Sequence, residues 1–179
     1  MEMLKNQPVL AMSTKKTCDN LLIRLYDEAR RYQRDPDTVR LIARHIELIN
    51  VLKGLGLFCF DGLGDLTPAV LYRGHKYVFD MIEPYQLAFY VDIATFDEEN
   101  DDVKESLHYC FNDVCWTEFM MSIYHVEGYV VLSSSQYVGE RRILMDEVLF
   151  MLKSMDSVLR RFHKIIKQSC HLKENVKCI

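Results

Sequence analysis

The sequence predicts an α+β domain: an antiparallel sheet with helices packed mainly on one face. Two observations carry this prediction. Apolar residues recur at helical spacing near the N-terminus, in the middle and near the C-terminus, and at strand-like spacing between these stretches. Short Gly-containing connections separate several of the strand-like runs, which favours antiparallel hairpins over parallel β-α-β units. The predicted order of elements is α-α-β-β-β-β-α-β-β-α.

Two helices are predicted after a flexible leader at residues 1–16. Thr17 can cap the first helix, which extends to Arg34. Asp35-Pro36 signals the start of the second helix, because proline pre-sets the first helical φ, and Gly54 offers a C-terminal stop. The two helices should form a hairpin.

The apolar period changes from 3.6 to 2 after Gly56. Four strand-like runs follow, and the second and third flank Arg73-Gly74, which is a short hairpin connection. The loop Asp61-Gly62-Leu63-Gly64-Asp65 is predicted to be a turn. An EF-hand loop needs about twelve residues with several acidic ligands, and this loop lacks them. The four runs are 57–60, 68–72, 75–82 and 86–92.

An acidic stretch at residues 97–102 precedes a predicted middle helix, where negative charge stabilises the helix N-terminus. Two more strands then flank Val126-Glu127-Gly128. A long amphipathic helix follows from Ile143, and residues 171–179 are expected to fray. We therefore predict a leader, one domain at residues 17–170 whose extra N-terminal helix spans 17–34, and a C-terminal tail.

Composition excludes several classes of function. The 179 residues are 49% apolar and 27% charged, with a formal net charge of -4. Nucleic acid and anionic membrane surfaces attract clustered positive charge, so we expect neither as a partner. No apolar run approaches the roughly 18 residues of a membrane helix. The cysteines are scattered without a C-x-x-C pair, which predicts reduced thiols and a cytoplasmic location.

No group of residues in the sequence indicates a particular reaction. The histidines form no H-x-H or H-x-x-x-H pair, so no metal site is predicted. Ser133-Ser134-Ser135 ends a predicted strand, but the chain has no G-x-S-x-G elbow to expose a nucleophile. We expect no catalytic residue, no cofactor and no enzymatic activity.

The aromatic residues of the predicted strands indicate a binding surface. If the odd-numbered apolar residues of the strand 86–92 face the helices, Tyr90 faces the other way, and the same alternation turns Trp116, Met120 and Tyr124 outward. Tyr, Trp and Met are enriched at interfaces. These four residues are the predicted partner-binding site, and the partner is another protein or a second copy of the chain as a homodimer. Burial of this face under a loop or the first helix is the alternative.

The residues alone leave a second functional assignment open. Polar groups fall at the ends of predicted strands, and a pocket near Asp61, Asp65, His75 and His125 would suit a small-molecule-sensing or enzymatic domain.

Several features also match a known family. They are a helix leading into Leu57-Phe58-Cys59-Phe60-Asp61, the hairpin across Arg73-Gly74, the strand Leu87–Val91, the turn at Glu127-Gly128 and the long final helix. With these features, the chain from about Val39 to Phe162 resembles the YbjN-like family, which is labelled a bacterial sensory transduction regulator family. More distantly, it resembles the type III secretion chaperone fold.

The resemblance implies a compact α+β domain without enzymatic chemistry. Members of the chaperone group typically dimerise and bind extended segments of other proteins along helix and sheet surfaces. The predicted helix at residues 17–34 is an addition to that pattern. We therefore expect a non-enzymatic protein-binding module, chaperone-like or regulatory.

Overall fold

The computed structural model describes residues 7–61, 66–83, 85–115 and 121–179. Within these residues the predicted mixture of helices and antiparallel sheet is confirmed, as is the order of elements, and one short helix and one short strand follow it. The strands hydrogen-bond in the order β1-β2-β3-β4-β6-β5, and β7 pairs with β4. The elements are α1 (Gln7–Arg31), α2 (Pro36–Gly54), β1 (Phe58–Asp61), β2 (Pro68–Tyr72), β3 (His75–Glu83), β4 (Gln86–Phe96), α3 (Asp101–Cys115), β5 (Met121–Val126), β6 (Tyr129–Tyr137), α4 (Met145–Gln168), α5 (Leu172–Asn175) and β7 (Val176–Cys178).

The chain divides into two compact units. The N-terminal unit contains the residues up to Ala88 together with Tyr137–Leu149, and the C-terminal unit contains Phe89–Gln136 together with Phe150–Ile179. The predicted partition into leader, single domain and tail stays a prediction, apart from the element bounds described below. None of the helices among the described residues combines the length and the apolar character that crossing a membrane requires.

In the N-terminal unit, α1 packs against α2 and β1, and β1, β2 and β3 form an antiparallel meander. The predicted start of α2 is confirmed. Asp35 is extended, and its carboxylate accepts hydrogen bonds from the N–H groups of Asp37 and Thr38, while Pro36 occupies the first turn. The β2–β3 turn has positive φ at both Arg73 and Gly74, as a two-residue hairpin turn requires.

The first helix differs from its predicted bounds. It begins at Gln7 rather than Thr17, so it takes up residues 7–16 of the predicted flexible leader. Pro8 lies in the first turn, where its missing N–H costs nothing, and the residues that follow include good helix formers and no breaker. The helix ends at Arg31 rather than Arg34, because Asp35 precedes a proline and is held in an extended conformation.

The C-terminal unit contains α3 and most of α4, whose predicted apolar stripes are confirmed as buried. The acidic start of α3 is confirmed, and Asn100 accepts a hydrogen bond from the Val103 N–H at 3.1 Å. The buried residues of the two stripes are Val103, Leu107, Cys110, Phe111 and Val114 on α3, and Leu152, Met155, Leu159, Phe162 and Ile166 on α4.

The expected fraying of residues 171–179 is wrong. Strand β7 pairs with the end of β4, where Phe96 is opposite Val176 and Ala94 is opposite Cys178. Leu172 and Val176 are buried, and they anchor residues 171–179 although most of this segment is polar or basic.

Candidate functional site

The outward sheet face of the C-terminal unit carries two exposed tyrosines. The β5–β6 register places Tyr124 opposite Val131 and Val126 opposite Tyr129, and residues opposite each other share a face. The side chains of Tyr124, Val126 and Tyr129 are 40%, 47% and 46% exposed, whereas Val131 beside them is buried. We call Tyr124, Val126 and Tyr129 the tyrosine patch.

The alternating residues of the same two strands form the core. Ile123 is opposite Leu132 and His125 is opposite Val130. Ile123, Val130 and Leu132 are buried, so the alternation that buries them turns the tyrosine patch outward.

A two-residue turn fixes the position of the patch. Glu127 and Gly128 both have positive φ, which matches the right-handed twist of the hairpin strands. The Phe96 N–H donates a 2.9 Å hydrogen bond to the Gly128 carbonyl. A Cβ at position 128 would lie 3.1 Å from the Phe96 carbonyl oxygen, so this turn is tied closely to the end of β4.

Tyr124 is the electrostatically perturbed member of the patch. Partial burial raises the pKa of its phenol, and the negative charge of Asp92 raises it further. The phenol therefore stays neutral, with an apolar ring and a hydroxyl that can donate or accept a hydrogen bond. The exposed Asp92 carboxylate lies close enough to add negative charge to the surroundings of the patch.

The four predicted partner-binding residues have different outcomes. Tyr124 is exposed, as the alternation predicts, and Tyr90 on β4 is half-buried. Trp116 and Met120 lie outside the described residues. Binding by these residues stays a prediction.

The sequence analysis missed Val126 and Tyr129. It assigned Val126 to the connection between the strands, whereas the structure keeps Val126 in β5. The signal that could have found both is the pair Glu127-Gly128, because a two-residue turn pairs its flanking residues across the hairpin.

The structure describes three of the four residues of the alternative polar pocket. The Asp61 carboxylate forms a 2.8 Å ion pair with Arg24. Asp65 lies outside the described residues, and His75 is half-buried at the start of β3. Both Asp61 and His75 belong to the N-terminal unit, and His125 belongs to the C-terminal unit.

His125 lies in a cluster of rings. Its ring meets Phe96 and His108 edge to face, at centroid distances of 5.6 and 5.3 Å. Its Nδ1 is buried and has no hydrogen-bond partner within the described part of the chain. The described residues bring together no group of three or more His, Cys, Asp or Glu side chains able to hold a metal ion.

The N-terminal unit has a cleft that the sequence analysis did not predict. It has a volume of about 720 Å³ and lies among residues of α1, α2, β3 and neighbouring loops, including Arg24, Tyr32, His45, Asp80 and Ile82. We call it the His45 cleft. His45 lies beside the predicted apolar stripe of α2, so a polar residue on that side of the helix was the available signal.

No family model matches the chain, and no curated protein matches it. Several solved structures are similar to it, and two of them are described here. YbjN from E. coli has a TM-score of 0.47 at 11% identity, over 64% of this chain and 85% of that chain. The Yersinia pestis type III secretion chaperone SycH, solved in complex with a stable fragment of YscM2, has a TM-score of 0.44 at 12% identity, over 65% of this chain and 98% of that chain. These two proteins represent the two groups that the sequence resemblance names, and the similarity concerns the fold alone.

Proposed function

We propose that this chain is a non-enzymatic, cytoplasmic protein-binding module, chaperone-like or regulatory, that binds another protein through the tyrosine patch. The observation that carries the proposal is the exposure of Tyr124, Val126 and Tyr129 together on one sheet face, while the alternating residues of the same strands are buried.

Exposed aromatic rings in a cluster favour binding for a physical reason. A tyrosine ring buries a large apolar area with few rotatable bonds, and its hydroxyl keeps a hydrogen bond available at the rim. Interfaces concentrate their binding energy in such residues. A single exposed apolar residue needs no explanation, but three on one hairpin face favour a partner surface.

The position of the hairpin adds a second support. β5 is the last strand in the order of the sheet, and an edge strand can accept an extended segment through main-chain hydrogen bonds. A segment added there would extend the face that carries the patch. Asp92 and the exposed Glu127 favour a segment that combines apolar and basic residues.

Peptide selection with matched variants tests the proposal. Peptides that bind the full chain are selected from a random extended library, and their affinities are measured for the wild type, Tyr124→Ala/Tyr129→Ala and Tyr26→Ala/Tyr109→Ala. The control pair removes two other exposed tyrosines. We expect the patch variant to lose about tenfold or more in affinity and the control variant to match the wild type, because hot-spot aromatics contribute about 2 kcal/mol or more.

Thermal unfolding of each variant completes this test. The patch variant should unfold at nearly the wild-type midpoint, because its rings are exposed. A collapse of the midpoint would show that the rings belong to the core, and equal peptide affinity for the patch variant and the wild type would remove the proposed surface. Light scattering of the chain alone would identify a second copy as the partner if the patch variant changed the mass.

A further inference from the structure

His45 has close polar contacts at both of its ring nitrogens. Its Nδ1 lies 3.2 Å from the Leu41 carbonyl oxygen, which can only accept, so Nδ1 carries a proton. Its Nε2 lies 3.4 Å from the Met81 nitrogen and 3.4 Å from Asp80 Oδ1. His45 therefore places one ring nitrogen beside the Asp80 carboxylate.

Asp80 carries a partly exposed carboxylate in the His45 cleft. The two other charged residues that line the cleft are already paired: Arg24 with Asp61 at 2.8 Å, and Glu28 with Arg31 at 2.7 Å. The Asp80 side chain is 40% exposed, and no Lys or Arg pairs with it among the described residues. The cleft thus offers one accessible carboxylate and no spare cation.

The rest of the lining is largely apolar. Tyr32 and Ile82 are each 50% exposed, and Leu25, Leu41 and Ile42 contribute aliphatic surface. An aromatic face attracts an organic cation through its quadrupole. The volume of about 720 Å³ lies within the range that ligand sites of proteins occupy.

We propose that the His45 cleft binds a small organic amine, whose ammonium group pairs with Asp80 and whose apolar body lies against Tyr32 and Ile82. Anionic ligands are disfavoured, because Arg24 is already paired and two carboxylates line the cleft. An alkylammonium group also occurs on lysine side chains. The apolar wall favours a free amine with an aromatic or branched body over the slender stem of lysine. This inference is independent of the tyrosine patch.

Calorimetric titration with 2-phenylethylamine tests the inference on the full chain. The neutral analogue 2-phenylethanol and N-acetyl-lysine amide are titrated in parallel. The variants are Asp80→Asn and, as a matched control, Glu83→Gln, which removes an exposed carboxylate from the same strand. We expect millimolar or tighter binding of the aromatic amine, about tenfold weaker binding of the alcohol and of the lysine derivative, and about a tenfold loss in Asp80→Asn only.

Resonances of the His45 ring provide a second measurement that does not depend on any variant. Addition of 2-phenylethylamine should shift them in the wild type, because the ammonium would lie beside Nε2. Absence of any amine binding, equal affinity of Asp80→Asn and the wild type, or unchanged His45 resonances at saturation would each overturn the inference. Tighter binding of the lysine derivative than of 2-phenylethylamine would overturn the proposal of a free amine and would indicate that the cleft binds a lysine side chain of a protein.

Discussion

Glu147 shows how one side chain stabilises a helix start through several contacts. Arg141 donates two hydrogen bonds to its carboxylate, each at 2.7 Å, and the Leu144 N–H donates a third. The Arg141 hydrogen bonds lower the pKa of Glu147; partial burial opposes this effect, and the Leu144 N–H adds to it. The folded carboxyl therefore holds its proton less tightly than the unfolded one.

This difference predicts a pH-dependent contribution to stability. A carboxyl with a lowered folded pKa stabilises the protein above its ordinary value of 4.5, and the contribution is lost as pH falls through the folded pKa. Glu147→Gln should therefore be less stable than the wild type at about pH 7, and the gap should narrow as the pH falls toward about 3. The loss should be small, because Arg141 is half exposed.

Chemical denaturation across this pH range measures the gap in free energy of unfolding. Asp146→Asn is the matched control, since Asp146 is the exposed neighbour in the same first turn. A gap for Glu147→Gln that persists or widens in acid would contradict the assignment of the lowered pKa.

Residue patterns predicted one part of the candidate site and missed the other. The exposure of Tyr124 follows from alternation within a single strand, which depends on local geometry alone. The place of Tyr129 depends on the turn, where the non-glycine Glu127 adopts a φ of 50° that its own preferences disfavour. His45 and Asp80 are 35 positions apart, and only the packing of α2 against β3 brings them together.

Among the elements, β7 is the clearest difference between the prediction and the structure. Its residues look like a tail, because they are short, follow a polar stretch and lack a periodic signal. The strand nevertheless pairs with β4, and just after it the Ile179 N–H donates a 3.0 Å hydrogen bond to the Ile93 carbonyl. Three paired residues are too few for sequence patterns to detect. The burial of Val176 is what stabilises the pairing.

Truncation of Val176 should therefore destabilise the chain. We expect Val176→Ala to lower the free energy of unfolding by about 2 kcal/mol, because a buried side chain loses apolar contacts and leaves a cavity. Lys177→Ala, at the neighbouring exposed position of the same strand, should stay within about 0.5 kcal/mol of the wild type. Urea denaturation measures both, and equal stability of the two variants would show that β7 does not anchor the C-terminus.

The start of α2 and the two hairpin turns were predictable, because their sequence signals are local. Asp35-Pro36, Arg73-Gly74 and Glu127-Gly128 act through backbone geometry within a few residues, and the structure places a helix start or a turn at each of them. The N-terminal bound of α1 was not predictable in this way. Thr17 offers a cap, but the helix begins ten residues earlier, at Gln7. Local signals therefore predict where elements can begin, and packing decides which signals are used.

For the whole molecule, the order of the chain and the division into units do not coincide. Residues Tyr137–Leu149 belong to the N-terminal unit, although the segments on either side of them belong to the C-terminal unit. Contacts with α2 hold this segment. Arg44 donates to the carbonyl oxygens of Gly139 and Arg141 at 3.2 and 3.0 Å, and the Ile143 N–H donates to Glu47 at 2.8 Å.

Glu47 is the point at which these contacts can be tested. Its carboxylate also pairs with Arg44, which is almost fully buried, so its removal takes a charged hydrogen-bond acceptor away from a buried guanidinium. We expect Glu47→Ala to speed amide hydrogen exchange at Ile143 by about tenfold or more, since a hydrogen bond to a charged group contributes about 1.5–3 kcal/mol.

Amides of β5 and β6 that lie within the C-terminal unit should keep their wild-type protection. Glu47→Gln, which retains a side-chain oxygen for the Ile143 N–H, should change exchange at Ile143 less. A uniform loss of protection in Glu47→Ala, across β5, β6 and residues 137–149 alike, would contradict a local role for the Glu47 contacts.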